Sequence, residues 1–358
     1  MTRITRIVRH VLAHLLYGSG QLWRVKRKIA RCGVVVLTFH RVLDDDEFLH
    51  TSSLPGMCIR QRTFEQLICW IKQNCEVVDL KKGLPEWQRP SNKLRIALTF
   101  DDGWLDNYHS AYPSLWASDC PATVFICPGL LDRPFPFWPE QVALFIKRVW
   151  TQQAPQKSQA VGETILTAIE QLKAVSRQNR LQQIEALKQQ VAGNGVLPLE
   201  DEPSNRTMSW QDLHEVHRKG IAVGSHTVSH EILTTLSTPE IRDELTESRR
   251  EIETRLGDVC RTLAYPNGNH DIQTQQVAEE VGYEFAFTTQ RGYWTSNTDT
   301  HRIPRVNVSE LKLTDLRGRF SGIMAEYSLF WNLVPGPVRD DNPITSSQVT
   351  RCRAVGSP

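Results

Sequence analysis

The sequence predicts an α/β fold, specifically a distorted (β/α) barrel of about seven parallel strands with a helical insertion. Short apolar, β-branched segments alternate with helical patterns through most of the chain, as a largely parallel sheet requires. The helical stretches are punctuated by capping residues. The unusual polar residues sit at the ends of the apolar segments, and a parallel barrel collects those ends on one face.

The 358 residues, 40% of them hydrophobic, suffice for one large barrel domain, which we place at 32–334. In the segment before it, 1–31, Ile4, Ile7, Val8, Val11, Leu12, Leu15 and Leu16 recur at helical spacing. Arg3, Arg6, Arg9 and His10 take the other face. No acidic residue occurs from Met1 to Val42, and Arg24, Lys26, Arg27, Lys28 and Arg31 continue the positive charge. Two readings fit this basic amphipathic segment: a helix lying on an anionic membrane surface, or a helix packed on the barrel with its basic face in water. His14 interrupts the apolar run and no small-residue cleavage site follows, so a secretory signal is not expected. No apolar run reaches bilayer-spanning length. The expected location is cytoplasmic, with peripheral contact at the inner membrane face under the first reading.

Seven strands are predicted: Val34–Phe39, Arg95–Phe100, Ala122–Ile126, Ile221–Ser225, Thr262–Tyr265, Phe285–Thr288 and His301–Val306. Thr63 precedes a helix over Phe64–Lys72, and Ser209 precedes Trp210–Lys219, which stops at Gly220. Thr238 precedes a long helix, Pro239–Leu256, closed by Gly257; Asp271 opens the next and Gly282 ends it. Between Gly129 and Met208 the chain is rich in Gln, Lys, Arg and Glu without strand signal. It reads as an insertion with helices near Glu140–Thr151, Glu163–Val175 and Asn179–Val191, either shaping a substrate groove or forming a solvated cover. From 335 to 358 Pro, Asp, Ser and Gly predict a disordered tail.

A net charge of only +2 gives no overall pull toward nucleic acid. The eight cysteines (32, 58, 69, 75, 120, 127, 260 and 352) form no CxxC pair, which argues against a zinc finger or a dense disulfide framework.

The chemistry concentrates at strand ends: His40 after the first, Asp101-Asp102-Gly103 after the second, His226 to His230 after the fourth, and Tyr265-Pro266-Asn267-Gly268 after the fifth. Adjacent aspartates leaving a strand point to opposite sides, so one can ligate a metal while its neighbour stays free as a base. Two histidines four apart can face the same ion if their segment turns helically. Two imidazoles and a carboxylate leave open positions where bound water is acidified and a carbonyl is polarised. Singly, each piece has an ordinary explanation. Asp-Asp-Gly and Pro-Asn-Gly are turn sequences, an isolated HxxxH is more often a surface or core pair, and His40 alone reads as a buried strand-end residue. Their ordered conjunction at strand ends is what carries weight.

At these residues the chain resembles the polysaccharide deacetylase family of carbohydrate esterases, which includes chitin, peptidoglycan, nodulation-factor and exopolysaccharide deacetylases. The TFDDG motif stands intact at Thr99–Gly103, the H-[ST]-x-x-H motif at His226–His230, and the Pro-x-Gly turn at Pro266-Asn267-Gly268. The resemblance covers roughly Val34 to Val308 without the insertion. It implies an amide hydrolase that removes N-acetyl groups from GlcNAc-type sugars of a polysaccharide or lipid-linked glycan precursor. By position, Asp101 would be the general base; Asp102, His226 and His230 would hold a divalent metal, usually zinc; the backbone N–H of Asn267 would bind the oxyanion. His40, Trp104, Tyr265 and Pro266 would meet the sugar, with Trp138 and Tyr108 as further aromatic candidates.

Two departures stand out. Many members carry an arginine that steadies the base where this chain has Ala264, and nearby Arg261 is not at the same position. The family's later motifs, including the histidine that serves as general acid, are not recognisable, which leaves His301 and His40 as strand-associated proton donors. The alternatives are a non-catalytic glycan-binding relative, or another reaction class using two histidines and a carboxylate, such as an Fe(II) oxygenase.

Overall fold

A computed structural model describes residues 3–338, apart from 52, 55, 83–90, 134–136, 154–157 and 194–204. Among these residues eleven strands form: β1 (Gly33–Phe39), β2 (Arg41–Leu43), β3 (Cys58–Arg60), β4 (Cys75–Val77), β5 (Leu94–Phe100), β6 (Thr123–Ile126), β7 (Ala222–Ser225), β8 (Thr262–Ala264), β9 (Phe285–Phe287), β10 (Trp294–Thr295) and β11 (Val306–Asn307). β1, β5, β6, β7, β8 and β9 pair side by side in that order, all parallel. β11 runs parallel to the end of β1, and Ile303 bridges β9 at Phe287, so residues 303–307 close the curled sheet into a barrel. β10 lies antiparallel on the start of β1, and β4 lies parallel on the start of β5.

The predicted seventh strand, His301–Val306, is therefore corrected to a bridge at Ile303 and the short β11. Pro304 supplies no N–H to a ladder and breaks the segment between them. The strands that sequence reasoning missed, β2, β3, β4 and β10, are two or three residues long, too short to show a period.

Parity along the strands decides which side chains reach the barrel interior. Val34, Val36, Ala97, Phe125, Ala264, Phe287, Trp294 and Ile303 form the inner cluster. Val35, Leu37, Phe39, Ile96, Leu98 and Phe100 face the surrounding helices. Phe39, Phe64 and Phe100 meet there with centroids 5.1–5.9 Å apart. On β5 the inward line runs Arg95, Ala97, Thr99 and, one step beyond the strand, Asp101. The ladder extends that far, since Asp101 N–H donates to Phe39 O at 2.9 Å.

Helix boundaries follow local chemistry. Trp210–Arg218 starts on a capping box between Ser209 and Asp212. Thr238–Leu256 begins one residue earlier than expected, after Ser237, whose N–H is accepted by Glu240, and it ends on left-handed Gly257. Ile272–Val281 runs from Asp271 to left-handed Gly282. Gln61–Asn74 starts before Thr63, whose hydroxyl instead donates to Glu310. The insertion forms Trp138–Gln153, Ser158–Lys173 and Arg177–Gly193, which share a small apolar core of their own.

The basic N-terminal segment is two helices, Arg3–Gly18 and Gln21–Cys32, broken at Gly20 in the left-handed region (φ 74°). At the other end Pro335 bridges Tyr293 and Val338 bridges Thr298, so 335–338 is ordered against the barrel. The rest of the expected disordered tail lies outside the described residues.

Candidate active site

Five strand ends, those of β1, β5, β7, β8 and β9, meet at a cavity of about 330 Å³. Thr38, His40, Asp101, Asp102, His226, His230, Asn267 and Arg305 line it from the barrel. Phe137, Trp138, Glu140, Ile169 and Lys173 line it from the insertion, which therefore shapes a groove over the site.

The two aspartates diverge. Asp102 lies in the left-handed region (φ 76°), followed by Gly103 (φ 73°), where an added Cβ would come within 3.0 Å of Ile126. This turn swings the Asp102 carboxylate toward two imidazoles, with Oδ1 3.5 Å from His226 Nε2 and 3.4 Å from His230 Nε2. The three ligand atoms lie within 4.8 Å of one another. Asp102 Oδ1 is buried without a hydrogen-bond partner. Such an orphaned acceptor facing two ring nitrogens is the signature a cation site leaves, and the donor set suits a divalent ion.

The imidazoles are oriented by different means. His226 Nδ1 donates to Ala264 O at 2.7 Å, which leaves the Nε2 lone pair facing Asp102. Burial pushes the His226 pKa down to about 4 despite nearby carboxylates, so this ring is neutral, as ligation demands. At His230 burial also opposes charge, but the Asp102 carboxylate outweighs it and raises the pKa. Asp102 itself is held well below the usual carboxylate range: burial would raise it, and the two histidines with His40 overcome that.

The expected helical turn from His226 to His230 is not formed. The segment is an irregular loop, with Thr227 at φ 65° and His230 at φ 59°. A β-branched residue at positive φ is strained, and the loop is held by Glu244, whose carboxylate accepts from Val228 N–H (2.8 Å), Ser229 N–H (3.0 Å) and Ser229 Oγ.

Asp101, on the inward line of β5, receives two hydrogen bonds of 2.7 Å from the Nη1 and Nη2 of buried Arg305. Burial would raise the Asp101 pKa, yet Arg305 keeps it below the ordinary value. Arg305 sits on the closing segment between Ile303 and β11. It supplies the steadying cation that the sequence lacks at Ala264, and sequence reasoning did not find it. His40 Nε2 lies 3.8 Å from Asp101 Oδ2, and burial lowers its pKa. Asn267 lines the cavity in the left-handed conformation (φ 57°).

Four expected site residues are placed elsewhere. Trp104 is 1% exposed, packed on Phe137 with Arg41 over its ring. Its Nε1–H donates to Asp102 Oδ2 at 3.0 Å, so it orients a ligand rather than stacking on sugar. Tyr265 is fully buried, donating to His301 O. Pro266 is buried in the turn that presents Asn267 and does not line the cavity. His301 is outside the cavity, its Nε2 donating to Tyr283 O at 2.9 Å, because it stands at the start of the closing segment, and the end of that segment, with Arg305, is what reaches the cavity. Tyr108 bonds Glu215 away from the cavity, whereas half-buried Trp138 lines it.

The sequence model of the polysaccharide deacetylase family matches residues 88–286, more than half of the chain. The provisionally named polysaccharide deacetylase YxkH of Bacillus subtilis (strain 168) is 21% identical over 262 residues, 72% of this chain and 68% of the relative. Among solved structures, the Streptococcus pyogenes deacetylase PplD, in complex with acetate, aligns with a TM-score of 0.51 at 17% identity. The alignment covers 78% of this chain and 92% of that one. The Bacillus cereus polysaccharide deacetylase BC0361 aligns with a TM-score of 0.53, also at 17% identity, covering 80% and 68%. These likenesses establish the barrel-like fold.

Proposed function

The chain belongs to the polysaccharide deacetylase family and is an amide hydrolase, and from that premise we propose that it removes the N-acetyl group from GlcNAc-type sugars of a polysaccharide or lipid-linked glycan precursor. The observation that carries the reading is the divergence of the two aspartates, Asp102 toward two imidazoles and Asp101 toward Arg305.

Asp102, His226 and His230 would hold a divalent cation, zinc being the best match to this donor set. When bound, it supplies Lewis acidity, acidifying water and drawing charge from the acetyl oxygen. Asp101, kept ionised by Arg305, accepts a proton from the attacking water as the oxygen bonds to the acetyl carbon. The negative charge that develops on the acetyl oxygen is met by the backbone N–H of Asn267. His40, whose Nε2 lies 3.8 Å from Asp101 Oδ2, is the residue we assign to relay the proton taken up by Asp101 to the sugar nitrogen as the C–N bond breaks, releasing acetate and a free amine. Burial lowers the His40 pKa, so its ring is neutral at rest and readily gives up a proton it receives. Trp138 offers a ring to the sugar face.

The test is to incubate the purified chain, with zinc or cobalt, with N-acetylglucosamine oligomers and to measure acetate and free amine together. Equal amounts of the two are expected, and Asp101→Asn should abolish both while metal still binds. Glycan binding without acetate under any divalent metal would overturn the assignment. An oxygenase using the same ligands would be unaffected by Asp101→Asn.

A further inference from the structure

The helix Arg3–Gly18 is mounted inside out. A surface helix normally turns its apolar stripe to the protein and its charges to water. Here the polar edge is the one that packs. Arg6 Nη2 donates to Asp315 O at 2.6 Å, and Arg9 donates to Leu311 O at 3.0 Å, to Lys312 O at 2.9 Å and to Ser328 Oγ. His10 and Ala13 are buried on the same side. The apolar stripe faces outward: Ile4 is 74% exposed, Leu15 65% and Val8 59%, and Ile7, Val11 and Leu12 are exposed with them. Single exposed apolar residues are ordinary, but a stripe of six on one helix marks a surface that something else covers.

Charge decides what covers it. The next helix adds exposed Trp23, and Arg24, Arg27, Lys28 and Arg31 are exposed there too, with Arg27 over the Trp23 ring. On the other flank lie exposed Leu316 and Arg317. No acidic residue precedes Asp44. A second copy of the chain, docked by two-fold symmetry, would set these cations against themselves. A bilayer with anionic headgroups satisfies both parts, taking the apolar stripe among its acyl chains and the cations among its phosphates, with Tyr17 and Trp23 at the boundary. No helix among the described residues is long and apolar enough to cross a membrane, so this one lies along the surface.

We propose that the chain docks on an anionic lipid surface through the outward stripe of helix Arg3–Gly18 and the adjoining cations. The proposal stands apart from the chemistry of the cavity. The test is sedimentation of the full chain with vesicles of phosphatidylcholine alone or with 30% phosphatidylglycerol (about a third anionic lipid, within the range where polybasic segments bind). The expected result is at least roughly tenfold stronger partition to the anionic vesicles, weakened by salt. Val8→Asp/Val11→Asp/Leu15→Asp should lose it, and Arg24→Glu/Arg27→Glu/Lys28→Glu should lose the dependence on anionic lipid. Both variants should retain the parent melting temperature and acetate release, because the altered side chains are exposed and far in sequence from the cavity residues. Equal binding to both vesicles, or none, overturns the proposal. So does a wild-type dimer in sedimentation velocity that the apolar variant dissociates without any change in vesicle binding.

Discussion

Replacing Arg305 with methionine removes the one cation that meets both oxygens of Asp101, at 2.7 Å each. Both side chains are nearly inaccessible, at 1% and 3%. Removing one partner of a buried ion pair typically costs about 3–5 kcal/mol if the survivor stays charged. The variant escapes part of that cost by protonating Asp101. At 1.36 kcal/mol per pKa unit, a penalty of about 3 kcal/mol corresponds to an upward shift of roughly two units. The sign reverses with it. In the wild type, Asp101 has a depressed pKa and contributes stability above the unfolded carboxylate value, lost as pH falls through the folded one. In Arg305→Met the raised pKa makes the protein lose stability as pH rises. The assays are the pH profile of kcat/KM for acetate release and thermal unfolding. The acid limb should move up by about two units, and the melting temperature at pH 8 should fall by about 6–12 °C at roughly 2–4 °C per kcal/mol. Arg305→Lys should recover part of the limb shift, since a single ammonium restores the charge but not the paired geometry. An acid limb that stays at its wild-type position in Arg305→Met, whatever the loss of rate, would refute the idea that Arg305 sets the charge of Asp101.

Three further predictions concern the shell around the proposed cation site. Trp104→Phe keeps the ring but loses the N–H that bonds Asp102 at 3.0 Å, so zinc affinity by calorimetry should fall about 10–100-fold with little change in melting temperature. Unchanged affinity would mean that Asp102 needs no such orientation. Glu140 is buried and near Asp102, and its pKa is pushed up to about 7. In the metal-free protein its ionisation therefore costs stability as pH rises from about 4.5 to 7, up to about 3 kcal/mol. Glu140→Gln should gain stability relative to wild type at pH 8 but not at pH 4, and a parallel offset at both pH values would contradict this. Glu244→Ala strips three donors in the Val228–Ser229 loop of their acceptor. It should lower stability by about 2 kcal/mol or more and weaken zinc binding, with intact binding arguing that the loop holds itself.

The parts of the site that could be read from sequence were those carried by local pattern. β1 and β5 are seven-residue strands rich in apolar residues, so the pattern alone locates their ends, and hence His40 and Asp101-Asp102. What could not be read was set by distance or burial. Arg305 meets a carboxylate 204 residues away, and nothing near it marks that pairing. Trp104 beside a ligand looks the same in sequence whether its ring faces sugar or its N–H faces Asp102. Its burial under Phe137 and Arg41 decides the matter. His301 was assigned from its place at the start of the seventh strand, the end of that segment away from the cavity that Arg305 reaches. The loop from His226 to His230 depends on Glu244, which comes from a helix whose packing the spacing of the two histidines does not reveal.

Because Arg305 rides on the segment that shuts the barrel, the cation ligands and the governor of the base arrive at different moments of synthesis. The three residues that would hold the ion are encoded by residue 230, yet the groups that position them and Asp101 follow later in the chain: Glu244 under the histidine loop, the Ala264 carbonyl on His226, and Arg305 on Asp101. The site is thereby complete only in molecules whose barrel has closed through residue 305.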